Sequence, residues 1–87
     1  MERRYKIVPG MKVALVGYGR AGRAVLHYLG RCGAEIFVSD SRPLDDLDAT
    51  EKILLEKFSA QYEGGQHSFE FLSKADLVVL SPGVAVD

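Results

Sequence analysis

Val13-Ala14-Leu15-Val16-Gly17-Tyr18-Gly19-Arg20-Ala21-Gly22 decides how this chain folds. Four apolar residues run straight into three glycines spaced G-x-G-x-x-G, and a helical pattern follows them. A strand that ends in such a turn and opens a helix brings backbone N–H groups and the positive end of the helix dipole to one point, which suits a diphosphate. A second apolar run, Ile36-Phe37-Val38, ends at Ser39-Asp40-Ser41-Arg42. Asp40 stands 18 residues after Gly22, close to the ~20 expected when an acid at the tip of the second strand meets the nucleoside end of a nucleotide.

Working outward, apolar runs alternate with helical patterns, which predicts parallel β-α-β units. Pro9-Gly10 is turn chemistry and sets off a first strand over 12–16. A helix is expected from about Ala21, with Val25, Tyr28, Leu29 and Cys32 as its buried stripe and Gly33 as a left-handed residue after its end. The second strand covers about 35–39. A second helix begins after Asp48, where Glu51 is the capping partner and Leu54, Leu55 and Phe58 face inward. Tyr62 marks a short third strand broken by Gly64-Gly65, and Ser68 caps a short helix carrying Phe69 and Leu72. Leu77-Val78-Val79-Leu80 reads as the clearest buried strand and stops at Ser81-Pro82-Gly83. Right-handed crossovers arrange these strands 3-2-1-4. The expected fold is therefore α/β, a Rossmann-like open parallel sheet with helices on both faces, in a single small domain. In that order the loops 17–22, 40–42 and 81–83 converge outside the carboxyl ends of the strands.

With 87 residues, 47% of them hydrophobic and 26% charged, the chain suits one soluble domain that buries roughly 60–65% of its unfolded surface. A net charge of −1 gives no general attraction for nucleic acid or anionic membrane, so neither is expected as a partner. The lone Cys32 forms no internal disulfide and is read as a reduced thiol, which points to the cytoplasm. The sequence holds no Cys/His cluster at metal-ligand spacing, no carboxylate pair that can be set across a cleft, and no G-x-x-x-x-G-K-[S/T] loop. No catalytic residue, metal site or cofactor is assigned to it. The expectation is a chain that binds without reacting.

Each candidate residue has a second reading. Asp40 can serve as a strand-end residue bonding its own loop, and Arg42, followed by Pro43, as a solvated turn residue. Ser81-Pro82-Gly83 can be a strand terminator instead of a ligand wall. Arg20 and Arg23 stand where a helix dipole disfavours cations by some tenths of a kcal/mol, a penalty that a bound diphosphate reverses. His27 and His67 are read as surface or local structural residues.

The segments 15–22, 38–44, Gly65-Gln66-His67 and Ala75-Asp76-Leu77-Val78-Val79-Leu80-Ser81-Pro82-Gly83 together resemble the opening domain of the Mur ligases, cytoplasmic enzymes of peptidoglycan synthesis, and in particular of their D-glutamate-adding branch. The likeness runs from Met11 to Asp87, and its most specific part is the Asp40-Ser41-Arg42 turn combined with the strand that ends in Ser-Pro-Gly. The resemblance implies a Rossmann-like module binding the UDP part of UDP-N-acetylmuramoyl-L-alanine. It implies that the backbone of Gly19, Arg20 and Ala21, in the loop bounded by Gly17 and Gly22, lies at the diphosphate. Asp40, Ser41 and Arg42 would then surround the uracil, and Ser81, Pro82 and Gly83 would stand beside the uridine. Ala21 replaces a hydroxyl residue found in some relatives, which leaves only a backbone bond to phosphate there. By the same resemblance ATP and magnesium belong to a second domain and the incoming amino acid to a third. The chain, 1–87, is thus expected to be an isolated substrate-binding domain that is inactive alone. Its fourth strand is expected at a sheet edge, where it pairs with a second copy or is covered by Tyr5-Lys6-Ile7-Val8. Two other readings share the glycine turn and the acid: a NAD-binding domain, either regulatory of the potassium-transport type or from a truncated dehydrogenase, and a ligand-free Rossmann-like interaction module.

Overall fold

The computed structural model describes residues 7–81. Its elements are β1 (Lys12–Val16), α1 (Arg20–Arg31), β2 (Glu35–Asp40), a 3-10 turn (Leu44–Asp46), α2 (Ala49–Lys57), β3 (Gln61–Gly64), α3 (Phe69–Leu72) and β4 (Leu77–Leu80). The strands are parallel and lie in the order β3-β2-β1-β4. This is the sheet that the alternation of apolar runs and helices predicts. Among the described residues no helix is long and apolar enough to cross a membrane.

Alternation along the strands sorts the apolar residues onto two faces. Val13 and Leu15 of β1 stand level with Ile36 and Val38 of β2 and with Leu77 and Val79 of β4. Leu26 and Leu29 of α1 and Leu55 of α2 close over this face and complete the main core. The other face carries Ala14, Val16, Phe37 and Ser39, all buried, and α3 covers it by setting Phe71 edge-on to Phe37 at 5.8 Å. Helices therefore flank both faces.

Two expectations are corrected. The buried stripe of α1 is Gly22, Leu26 and Leu29, whereas Tyr28 is 59% exposed and Cys32 is the half-buried C-terminal cap. Leu29 is common to both stripes and Val25 packs partly against the core as expected, while Gly22 lies inward because the Gly17 carbonyl and Ser81 approach too closely for a Cβ there. β4 is not buried on both sides. It is the edge strand that the order 3-2-1-4 predicts, with Leu77 and Val79 packed against the core but Val78 and Leu80 exposed by 48% and 61%. Of the segment expected to cover this edge, Tyr5 and Lys6 lie outside the described residues, while Ile7 packs partly against the core and Val8 is exposed.

Local signals set the helix ends. Asp48 and Glu51 form a reciprocal capping box: the Glu51 N–H donates to Asp48 Oδ1 at 2.8 Å and the Asp48 N–H to Glu51 Oε1 at 2.9 Å. Ser68 caps α3 through the Phe71 N–H. Gly33, at φ +82, ends α1 in the left-handed region that glycine takes without steric cost. Near the same end of α1, the Phe58 ring at the end of α2 lies directly on Gly30, where a Cβ would overlap the ring.

Candidate functional site

The three glycines of the opening turn do different work. Gly17 adopts φ +98, and its N–H donates to the Ser39 carbonyl at 2.7 Å, fastening the turn to the tip of β2. Gly22 lies under that turn. A Cβ there would sit 3.1 Å from the Gly17 carbonyl carbon, closer still to its oxygen, and 3.4 Å from Ser81 Oγ. Gly19 is different: its backbone is extended at φ −105, and a Cβ on it would meet nothing within 4 Å. The fold explains Gly17 and Gly22 but makes no demand for glycine at 19.

Gly19 is also the N-cap of α1, and no side chain caps this helix, in contrast to Asp48 on α2 and Ser68 on α3. The first bond back along α1 runs from the Arg23 N–H to the Gly19 carbonyl at 2.9 Å, so the N–H groups of Arg20, Ala21 and Gly22 have no intrahelical acceptor. No acidic residue stands in the first turn. Three donors, a dipole end and open space above Gly19 make a place for an anion.

At the tip of β2, Asp40 and Arg42 are tied to this loop. Asp40 Oδ1 accepts the Tyr18 N–H at 2.8 Å, and Oδ2 accepts the Arg42 N–H at 3.1 Å and its Nε–H at 3.0 Å. The Arg42 guanidinium donates through Nη1 and Nη2 to Glu51 Oε1 and Oε2 at 3.3 and 3.2 Å, and through Nη2 to the Tyr18 carbonyl. Tyr18 passes beneath, wholly buried, and its hydroxyl donates to the Glu51 carbonyl at 2.8 Å. Tyr62 closes the other side by donating to the Arg42 carbonyl at 2.7 Å. Ser41 stands exposed at the apex of the turn.

This arrangement tunes the groups within it. Burial acts to raise the Asp40 pKa, but the bonds from Tyr18 and Arg42 outweigh it and hold the carboxyl below its ordinary value. Bonds to Asp40 and then Glu51 raise Arg42, which stays cationic. Burial, followed by the Glu51 charge, pushes the Tyr18 phenol up to about 12; burial and then Asp40 do the same for Tyr62.

The remaining loops complete the crevice. Ser81 is buried, and its N–H donates to the Val16 carbonyl at 2.9 Å, so it abuts Gly22 as the strand order requires. Pro82 and Gly83 lie outside the described residues. Ser39 is wholly buried; its hydroxyl contacts the Gln66 carbonyl at 3.2 Å and His67 Nδ1 at 2.6 Å, which gives His67 a local structural role. Sequence reading brings the loops 17–22 and 40–42 and Ser81 together correctly. It does not find Tyr18, because the variable position of a glycine turn carries no burial signal, and it sees Glu51 as a cap without its second bond partner, Arg42.

Comparison with known proteins adds the family. The model of the MurD N-terminal domain matches residues 12–87. This chain belongs to the MurD N-terminal domain family. The UDP-N-acetylmuramoylalanine--D-glutamate ligase of Desulfotalea psychrophila is 42% identical over 72 residues, covering 83% of this chain and 16% of the relative. That of Acidobacterium capsulatum is 40% identical over 78 residues, covering 90% and 17%. This MurD N-terminal domain thus spans about one sixth of the length of the curated relatives it matches. Among solved structures, SirC, precorrin-2 dehydrogenase, superposes with a TM-score of 0.73 at 18% identity over 93% of this chain and 39% of that one. Shikimate dehydrogenase from Aquifex aeolicus gives 0.65 at 22% identity over 92% and 27%. These two show that the MurD N-terminal domain has the Rossmann-like fold.

Proposed function

We propose that this domain holds the uridine diphosphate end of UDP-N-acetylmuramoyl-L-alanine as the opening domain of an ATP-dependent, D-glutamate-adding ligase of peptidoglycan synthesis in the cytoplasm. The observation that carries this reading is Gly19, a glycine with no steric task in the protein, beneath open space at an uncapped helix end. A diphosphate fills that space and accepts from the N–H groups of Arg20, Ala21 and Gly22. Asp40 supports the other end. It accepts three bonds, and a carboxylate offers roughly four lone-pair directions, so one remains for the single ring N–H of uracil. In this reading Ser41 and Arg42 flank the uracil, and Ser81, with Pro82 and Gly83 after it in sequence, borders the uridine from the β4 side. ATP and magnesium belong to chemistry assigned to other parts of such a ligase; these residues serve as the grip on its nucleotide substrate.

Titration of the labelled domain by NMR tests the reading. UDP should shift the amides of 19–22 and 40–42, and NADH should bind no better. Tight NADH binding with no response to UDP refutes the ligase assignment in favour of a dinucleotide site. Silence toward both leaves a scaffold without a ligand and refutes it equally.

A further inference from the structure

We infer that Glu51, on the first turn of α2, is a positioning residue for the nucleoside end of the site, acting through Arg42 to set the Asp40-Ser41-Arg42 turn. The inference rests on the uridine diphosphate reading and assigns to Glu51 the task of making that site selective for its base. Three observations place it there.

Glu51 is only 6% exposed, far less than a helix-capping glutamate on a surface needs. Both of its oxygens face the Arg42 guanidinium, at 3.3 and 3.2 Å, and Oε1 also accepts the Asp48 N–H. Its own carbonyl receives the Tyr18 hydroxyl. One residue therefore holds the cation of the nucleoside turn by its side chain and the phosphate loop by its backbone.

Without that anchor Arg42 retains Asp40 as its only anionic partner. The turn then keeps the Tyr18 N–H on Asp40 Oδ1, the Arg42 Nη2 bond to the Tyr18 carbonyl and the Tyr62 bond to the Arg42 carbonyl, but no second carboxylate holds the guanidinium plane. With the anchor, the fork of two N–H donors on two carboxylate oxygens fixes the guanidinium plane, and Asp40 Oδ2, bonded to Nε, is fixed with it. The carboxylate direction left for a base N–H is then set by α2, an element that touches no ligand.

Glu51→Gln tests this, because glutamine still completes a capping box but loses the charge and one of the two arms. UDP affinity should fall by about three- to tenfold, the scale of one ordinary hydrogen bond, because Glu51 acts through Arg42 and not on the ligand. ADP, whose diphosphate meets the same end of α1 but whose base does not use the turn, should bind the variant and the unaltered domain alike. In the background of Arg42→Met, Glu51→Gln should add no further loss of UDP affinity. Equal losses for UDP and ADP reveal general softening of the domain and overturn the inference, as does a UDP affinity that does not change.

The free protein supplies an independent readout. The Arg42 Nε–H resonance should be protected from solvent exchange in the unaltered chain and broaden in Glu51→Gln. If the unaltered domain fails to bind UDP, the proposed function falls, and this resonance alone decides the positioning role. An Nε–H signal unaffected by the substitution overturns it, even where the thermal melt moves.

Discussion

Alanine at 19 and alanine at 22 are the same chemical change three residues apart, and the structure predicts different results. At Gly22 the new Cβ would press on the Gly17 carbonyl, 3.1 Å from its carbon and nearer to its oxygen. Gly17 cannot retreat, since its N–H is fastened to the Ser39 carbonyl at 2.7 Å and its φ of +98 is already glycine-only. Overpacking against fixed backbone costs ~1–3 kcal/mol, and alanine returns up to about 1 kcal/mol of helix propensity. The net is a loss of about 1–2 kcal/mol, or roughly 5–15 °C in Tm for a domain of this size. At Gly19 nothing lies within 4 Å and φ is −105. The folded state accepts the methyl, and the ~0.4–1 kcal/mol gained by restricting the unfolded chain is offset by a comparable loss because alanine is a poorer N-cap than glycine, so Tm should change little. UDP binding should nevertheless fall by at least about tenfold, ~1.4 kcal/mol, because the methyl would occupy the space that the proposed function gives to the diphosphate. Melting by circular dichroism and titration with UDP measure the two effects separately. If Gly19→Ala melts as low as Gly22→Ala, or binds UDP as well as the unaltered domain, the division of labour among these glycines is wrong.

Asp40→Asn should flatten the acid limb of the stability curve: the folded carboxyl titrates below its unfolded value of about 3.9, so its contribution is present at neutral pH and is lost as pH falls through the folded value. Urea midpoints from about pH 2 to pH 7 check this, and parallel curves for the two proteins would contradict it. Tyr18→Phe should cost about 1 kcal/mol in urea at neutral pH through the lost bond to the Glu51 carbonyl. It should also remove part of the alkaline unfolding: a phenol raised from about 10 to about 12 stabilises the fold below its unfolded pKa, and that stabilisation disappears as pH rises through the folded value. An unchanged alkaline limb in the variant would show that Tyr18 titrates freely.

Much of this architecture is legible because several local signals agree. The glycine turn between an apolar run and a helical pattern fixes β1 and α1, the Asp48/Glu51 spacing fixes the start of α2, and Gly33 fixes the end of α1. What fails to show is decided by tertiary neighbours. Leu77-Val78-Val79-Leu80 has the composition of a strand covered twice, yet Val78 and Leu80 are exposed, and apolar composition does not report which face of an edge strand a neighbouring element covers. Tyr28 and Gly22 exchange places in the expected stripe because a glycine contributes nothing to a hydrophobic pattern, although it allows the closest approach. The candidate site was legible as three loops at one end of a sheet. Its internal wiring was not, since the pairing of Arg42 with Glu51 depends on where the 3-10 turn Leu44–Asp46 delivers the helix.

The seat of Phe58 on Gly30 makes the two helices a pair of tongs. On the proposed reading α1 would point its N–H groups at the phosphates and α2 would hold the nucleoside turn through Glu51, with the pivot at the opposite end of both helices. The ring and the missing side chain set the gap between the jaws. A larger residue at 30 must either drive Phe58 out of its slot or tilt α2 as a body, and a tilt carries Glu51, Arg42 and the carboxylate of Asp40 with it. The spacing between phosphate grip and base grip is thus a dimension of the helix packing, open to change at a position that a map of ligand contacts would never include.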